Sequence, residues 1–113
     1  MLNNSRMDVF QALADPTRRS ILAMLASGER AAGEIVDRCE MTAPAVSQHL
    51  KALKQAHLVE VRAEAQRRIY RLRPEGLDEA AVWIDGVRRF WTGRLDRLEQ
   101  ELTKAKTKPR SKQ

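Results

Sequence analysis

Ser47, Gln48 and Lys51 stand close together within Thr42–Leu53, among residues that are otherwise mostly apolar or small. A hydroxyl, a carboxamide and an ammonium at that spacing suit the reading of nucleic acid. A carboxamide pairs with adenine through N6 and N7, a hydroxyl bonds to several base edges, and an ammonium meets phosphate. At helical spacing Pro44, Ser47, Gln48, Lys51 and Gln55 share one edge, while Val46, Leu50, Leu53 and His57 share the other. Such a helix buries one edge and offers the other to a DNA major groove. A plain surface helix of a small bundle has the same amphipathicity, so the flanking sequence must discriminate between the two.

Other chemistries are poorly supplied. The single cysteine, Cys39, excludes a disulfide within the chain and a zinc site built from paired cysteines of one chain. A transition metal needs three or four convergent ligands, and His49 and His57 have no thiolate near them in sequence. No metal and no cofactor is expected. A redox role for Cys39 would require a lowered pKa and a resolving thiol, or a partner thiol across a dimer. The ordinary alternative is a small packed residue. The five glycines are scattered rather than gathered in a phosphate loop, and no Ser or Cys nucleophile has an evident partner base. Enzymatic activity is not expected. Asp78, Glu79 and Asp85 read as a solvated face.

The elements that must position Ser47 and Gln48 follow from caps and periodicity. Val9, Phe10 and Leu13 share the face of a short helix within Asp8–Ala14. Asp15 and Pro16 then start a second helix, as cap and first helical residue. It carries Ile21, Leu22 and Leu25 inward and ends at Gly28. A third helix spans Ala31–Cys39, Glu40 and Met41 make a turn, and Thr42 caps the helix that runs to about Ala56. Two short helices and a tight turn over 31–56 are the helix-turn-helix arrangement.

Leu58–Arg62 alternates apolar and polar residues, 63–66 is a loop, and Arg67–Leu72 is a second strand. A hairpin over 58–72, directly after such a helix, reads as a wing. Arg62, Gln66, Arg67 and Arg68 sit at its loop and flank, placed for backbone or minor-groove contact. The competing reading is a charged edge that discourages strand pairing between molecules.

Arg73–Gly76 breaks the pattern, and a long helix over 77–102 follows. Its stripe includes Ile84, Val87, Trp91, Leu95 and Leu98, with Trp83 and Phe90 beside it. So much apolar surface favours pairing with a second copy, Val9, Phe10 and Leu13 completing the dimer surface. Packing against the chain's own first helices is the alternative. The fold class expected is mainly α with a small β-hairpin: a winged helix-turn-helix with a long C-terminal helix for dimerisation. One domain spans 1–102.

The net charge is +6, and Lys104, Lys106, Lys108, Arg110 and Lys112 account for most of the excess. The stretch 103–113 is expected to be a disordered basic tail, attracting phosphate or merely solubilising the chain. No apolar run approaches the ~20 residues of a membrane span, and the first residues lack the apolar stretch of a secretory signal. A soluble cytoplasmic protein with no membrane partner is the expectation.

Taken together, Phe10–Leu22, Ala45–Leu53, Ala56–Val59 and Arg67–Leu72 resemble, in order and spacing, the ArsR/SmtB family of bacterial winged-helix repressors. The resemblance implies a homodimer that binds double-stranded DNA at an inverted-repeat operator, often the repressor's own. By position it gives Ser47 and Gln48 to base edges, and Thr42, Ala43 and Lys51 to phosphate or bases. His49 leans towards the buried edge, where it packs or bonds to phosphate. Two metal sites frequent in the family lack their residues. A Cys-x-Cys pair is missing from Glu34–Cys39, and the last helix has no His or Cys. Two further readings stay open: a winged-helix module binding another protein through its last helix, and a thiol sensor through Cys39. No effector can be named.

Overall fold

The computed structural model describes the backbone of residues 7–111 and the side chains of residues 7–105. The chain divides into two compact units, one up to Ala80 and one from Ala81.

The first unit is built from short helices held by their caps. Helix α1 is Val9–Leu13. Asp8 Oδ1 accepts from the Gln11 amide at 2.8 Å, and Gln11 Oε1 accepts from the Asp8 amide at 3.0 Å, a reciprocal box that satisfies two donors at once. So short a helix leaves its last carbonyls short of helical donors, although the Ala14 amide reaches the Gln11 oxygen at 3.2 Å. Arg18 donates to the Gln11 and Ala12 oxygens, each at 2.9 Å, and Arg19 to that of Leu13 at 2.8 Å.

Helix α2, Pro16–Ala26, starts at Asp15, whose carboxylate accepts from the Arg18 amide at 3.0 Å. It buries Ile21, Leu22 and Leu25, and Gly28 follows with φ +147°. Helices α3, Ala32–Arg38, and α4, Ala43–Gln55, form the helix-turn-helix. Thr42 Oγ1 accepts from the Ala45 amide at 3.2 Å. Val46 and Leu50, one turn apart, face inward with Leu53. His57 does not continue that edge. It lies beyond the helix end at φ +62° and is exposed, because the chain must leave α4 through a left-handed residue to enter the next strand.

The sheet has three strands rather than the two of a hairpin. Strand β1 is Arg30–Ala31, β2 is Val59–Glu64 and β3 is Arg67–Leu72, antiparallel in the order β1-β3-β2. The register pairs Arg30 with Tyr70 and Ala31 with Ile69. A two-residue strand carries too little alternation to be seen in sequence. The turn between β2 and β3 is only Ala65 and Gln66, with Glu64 opposite Arg67. Ile21, Ile35, Val46, Leu53 and Leu58 form the centre of the core, joining α2, α3, α4 and the start of the wing.

A 3₁₀ turn, Pro74–Leu77, leads into helix α5, Asp78–Ser111. Its Ala80 belongs to the core of the first unit. The second unit is the remainder of α5. Helical backbone reaches Ser111, past the end expected near residue 102 and into the stretch expected to be a disordered tail. The Glu101–Lys106 segment contains Glu, Leu, Lys and Ala, which are strong helix formers. The side chains of 106–113, which carry most of the basic charge expected of the tail, lie outside the described residues. No helix among the described residues is long and apolar enough to cross a membrane.

Candidate nucleic-acid interface

The exposed edge of α4 carries the residues singled out by sequence. Thr42, Ala43, Ser47, Gln48 and Lys51 are all exposed, while Val46, Leu50 and Leu53 anchor the opposite edge in the core. One helical turn separates Ala43 from Ser47 and Ser47 from Lys51, so these three lie in a row with Gln48 beside it. Thr42 keeps its hydroxyl proton, because it serves the helix as acceptor only.

His49 is placed differently. It is half-buried, with Nδ1 3.4 Å from Nη1 of Arg18 and 3.8 Å from Oδ2 of Asp15. The ring bridges α4 to the start of α2 instead of joining the exposed row. The Arg18 amide holds the Asp15 carboxyl below the usual carboxylate range, and the charges of His49 and Arg18 add to that effect.

The wing's cations fall into two groups. Arg62 donates through Nη1 and Nη2 to both carboxylate oxygens of Glu29, at 2.8 and 3.0 Å, and reaches Glu64 at 3.4 Å. The pairing lowers the Glu29 carboxyl and raises the Arg62 guanidinium from their ordinary values. Arg71 donates to Glu60, which lowers that carboxyl, and Arg73 lies near both Glu60 and Glu75. Arg67 stands 3.9 Å from Glu34. The Arg68 side chain has no hydrogen bond or ion pair among the described residues. Gln66 is exposed at the turn, beside Ala65 at φ +58°.

Between α4 and the hairpin runs a groove of about 430 Å³ bordered by Ser47, Lys51, Lys54, Arg62, Arg68 and Tyr70. No carboxylate lines it. Lys54 was not apparent as a site residue from the sequence. The signal was present nonetheless: Ser47, Lys51 and Lys54 repeat at four- and three-residue steps on one side of α4. The partner of Arg62 had no local signal, since Glu29 lies 33 residues away.

The residues expected at a dimer surface separate. Val9 is only 5% exposed and belongs to the core of its own chain, so it has no surface to give a partner; Leu13 packs against that core. Phe10 is exposed, and so are Ile84, Val87, Phe90, Trp91, Leu95 and Leu98 along α5. Phe90 and Trp91 meet edge to face at 5.9 Å, and the Arg94 guanidinium lies 5.8 Å from each ring. Cys39 is half-buried. Among the described residues, no three His, Cys, Asp or Glu side chains gather so as to hold a metal ion.

Comparison with known proteins matches residues 13–62 to a family described as a helix-turn-helix domain. An HTH-type transcriptional regulator of Mycobacterium tuberculosis is 49% identical over 86 residues, covering 76% of this chain and 78% of the relative. The transcriptional repressor SdpR of Bacillus subtilis is 36% identical over 77 residues, covering 68% of this chain and 86% of the relative. Among solved structures, an ArsR-like transcriptional regulator from Rhodococcus sp. RHA1 aligns with a TM-score of 0.67 at 30% identity. The alignment covers 81% of this chain and 87% of that one.

Proposed function

This chain belongs to the ArsR/SmtB family of winged helix-turn-helix transcriptional repressors, and from that premise we propose that it is a homodimer binding an inverted-repeat operator, its own promoter included. In each protomer α4 enters the major groove. Ser47 and Gln48 meet base edges, Thr42, Ala43 and Lys51 meet the backbone or adjacent bases, and the hairpin lies along the flanking DNA with Gln66, Arg67 and Arg68. His49 acts from within, fixing α4 against α2. Arg62 braces the wing against Glu29.

The observation that carries this reading is the exposed row Ala43, Ser47 and Lys51, with Gln48 beside it, backed by a buried edge and flanked by an acid-free groove. A helix held by Val46, Leu50 and Leu53 presents that row rigidly, which direct readout requires. The homodimer is supported by the exposed apolar stripe of α5. Ile84, Val87, Trp91, Leu95 and Leu98 are far more apolar surface than a lone solvated helix carries. Pairing of two such helices also matches the two half-sites of a palindrome.

Repression without a metal signal is part of the proposal. It is supported by the missing Cys-x-Cys pair and by the absence of His and Cys from α5.

DNase footprinting on the region upstream of the gene tests the whole. Protection of an imperfect palindrome is expected, with Ser47→Ala and Gln48→Ala relaxing base preference within each half-site. No protected palindrome at any protein concentration would refute it.

A further inference from the structure

The basic side chains of the first unit are mostly committed. Arg62, Arg67, Arg71 and Arg73 face carboxylates, and Arg18 and Arg19 hold backbone carbonyls. Arg30 is directed at Ser27. Among the described residues of this unit, the side chains of Arg38, Lys51, Lys54 and Arg68 have neither a hydrogen bond nor an ion pair. Three of those four border the same groove, between α4 and the hairpin. Like charges collected without an acid repel one another, and a bound anion relieves that repulsion.

Strand alternation separates the two adjacent arginines of the wing. In the β2–β3 register Arg67 lies opposite Glu64 and Arg68 opposite Ala63, so the two point to opposite faces of the hairpin. Arg67 points to the side where Glu34 stands. Arg68 shares its side with Val61, Ala63 and Tyr70, which border the groove with it. Arg68 also touches the depression beside Ala31–Glu34, so its reach is not confined to one side of the turn.

We infer that the groove seats one phosphate group, gripped from α4 by Lys51 and Lys54 and from the hairpin by Arg68, with the Ser47 hydroxyl at its edge. This rests on the operator-binding reading and adds Lys54 to it. A guanidinium offers a two-pronged contact to phosphate and the ammonium groups act as point charges, so the pair clamps the group from two elements. The phosphate is one of the DNA backbone. Lys51, Lys54 and Arg68 are all exposed, and a free anion there would keep most of its water and bind weakly. A backbone phosphate needs no affinity of its own, because the other contacts hold the duplex in place. The seat would fix the distance between recognition helix and wing on the DNA, and so the register in which Ser47 and Gln48 meet the bases.

Fluorescence-anisotropy titrations of the full chain, on an operator duplex and an unrelated duplex over a series of salt concentrations, test this. Lys54→Gln and Arg68→Gln are each expected to weaken both duplexes by the same factor. The double variant should lower the slope of log affinity against log salt by about two for the proposed dimer, one for each protomer and not four, because the slope counts phosphates and both cations of a protomer serve the same one. Lys54→Arg, which keeps the charge, should keep the wild-type slope. An unaltered slope in the double variant, while Gln48→Ala still relaxes operator preference, would overturn the phosphate seat and leave the regulator standing. Wild-type protein that binds neither duplex would overturn both. Inorganic phosphate titrated into DNA-free protein gives the remaining arm. Saturable shifts of the Lys54 and Arg68 amides at submillimolar phosphate, with the DNA slope unmoved by the double variant, would assign the groove to a free anion and overturn the backbone assignment.

Discussion

Arg62 and Glu29 share two parallel hydrogen bonds across 33 residues of chain, tying the middle of β2 to the segment just before β1. A fork-to-fork pair of this kind is geometrically specific even at an exposed site. It closes the three-stranded sheet at its shortest strand, and it neutralises a cation that the hairpin's composition alone would credit to DNA. Glu29→Gln should therefore raise affinity for all duplexes several-fold at low salt, with the gain fading as salt screens it. Parallel titrations at low and high salt check this; an affinity no higher than wild type would show that Arg62 stays out of reach of phosphate.

Asp15 caps α2 as a charged acceptor, and its carboxyl is held below the usual range by the Arg18 amide. A depressed folded-state pKa contributes stability above the unfolded pKa, and that stability is lost as pH falls through the folded value. Asp15→Ala should cost about 1 kcal/mol at neutral pH, whereas Asp15→Asn keeps most of the cap. Below the ordinary aspartate range the wild-type advantage over Asp15→Asn should shrink. Urea denaturation at neutral pH and near pH 3 reads both effects.

Gly76 has no room for a side chain. A Cβ there would overlap the carbonyl oxygen of His57 and crowd Leu58. The obstacle is backbone, which cannot swing aside, and Arg73 fixes it further by donating to the same carbonyl at 3.0 Å. Gly76→Ala should destabilise the fold by about 1–3 kcal/mol, as overpacking does. Thermal unfolding measures it.

Ala65 sits at φ +58° in the two-residue turn of the wing. That conformation is costly for any residue with a Cβ and free for glycine. Ala65→Gly should stabilise the protein by about 1 kcal/mol, the relief of strain outweighing the added flexibility of the unfolded chain. Chemical denaturation would show a higher midpoint; a lower one would mean that flexibility dominates.

Trp91 and Leu95 lie one turn apart on the exposed stripe of α5. Replacing both by Glu puts two like charges at the centre of the proposed dimer seam, where they cannot be solvated. Light scattering should report half the wild-type mass, with the far-ultraviolet circular dichroism of the first unit preserved. Unchanged mass would place the dimer contact elsewhere.

The sequence disclosed the fold where one local rule sufficed. Asp15–Pro16 and Thr42 announced their helices because caps act within three residues, and the inward edge of α4 followed from its period. What depended on distant partners stayed hidden. Strand β1 exists because β3 pairs with it, and Arg62 is occupied because Glu29 reaches it. His57 and Val9 show the same limit from the other side. Periodicity extended one apolar edge past the true end of α4, and it could not tell a face turned to the chain's own core from one turned to a second copy. At the candidate site, Ser47, Gln48 and Lys51 were legible from residue type. Lys54 was not, because a lysine near a helix end is commonplace until a hairpin is seen to stand across a groove from it.

Arg18 touches the last carbonyls of α1 and comes within 3.4 Å of His49 on α4. Successive residues of a helix are about 100° apart around its axis. A slip of α4 by a single position would carry His49 away from Arg18 and turn Ser47 and Gln48 off the outer row together. The contact thus works as an angular index: it sets the dial position of α4 from the amino-terminal end of the fold, 31 residues back along the chain.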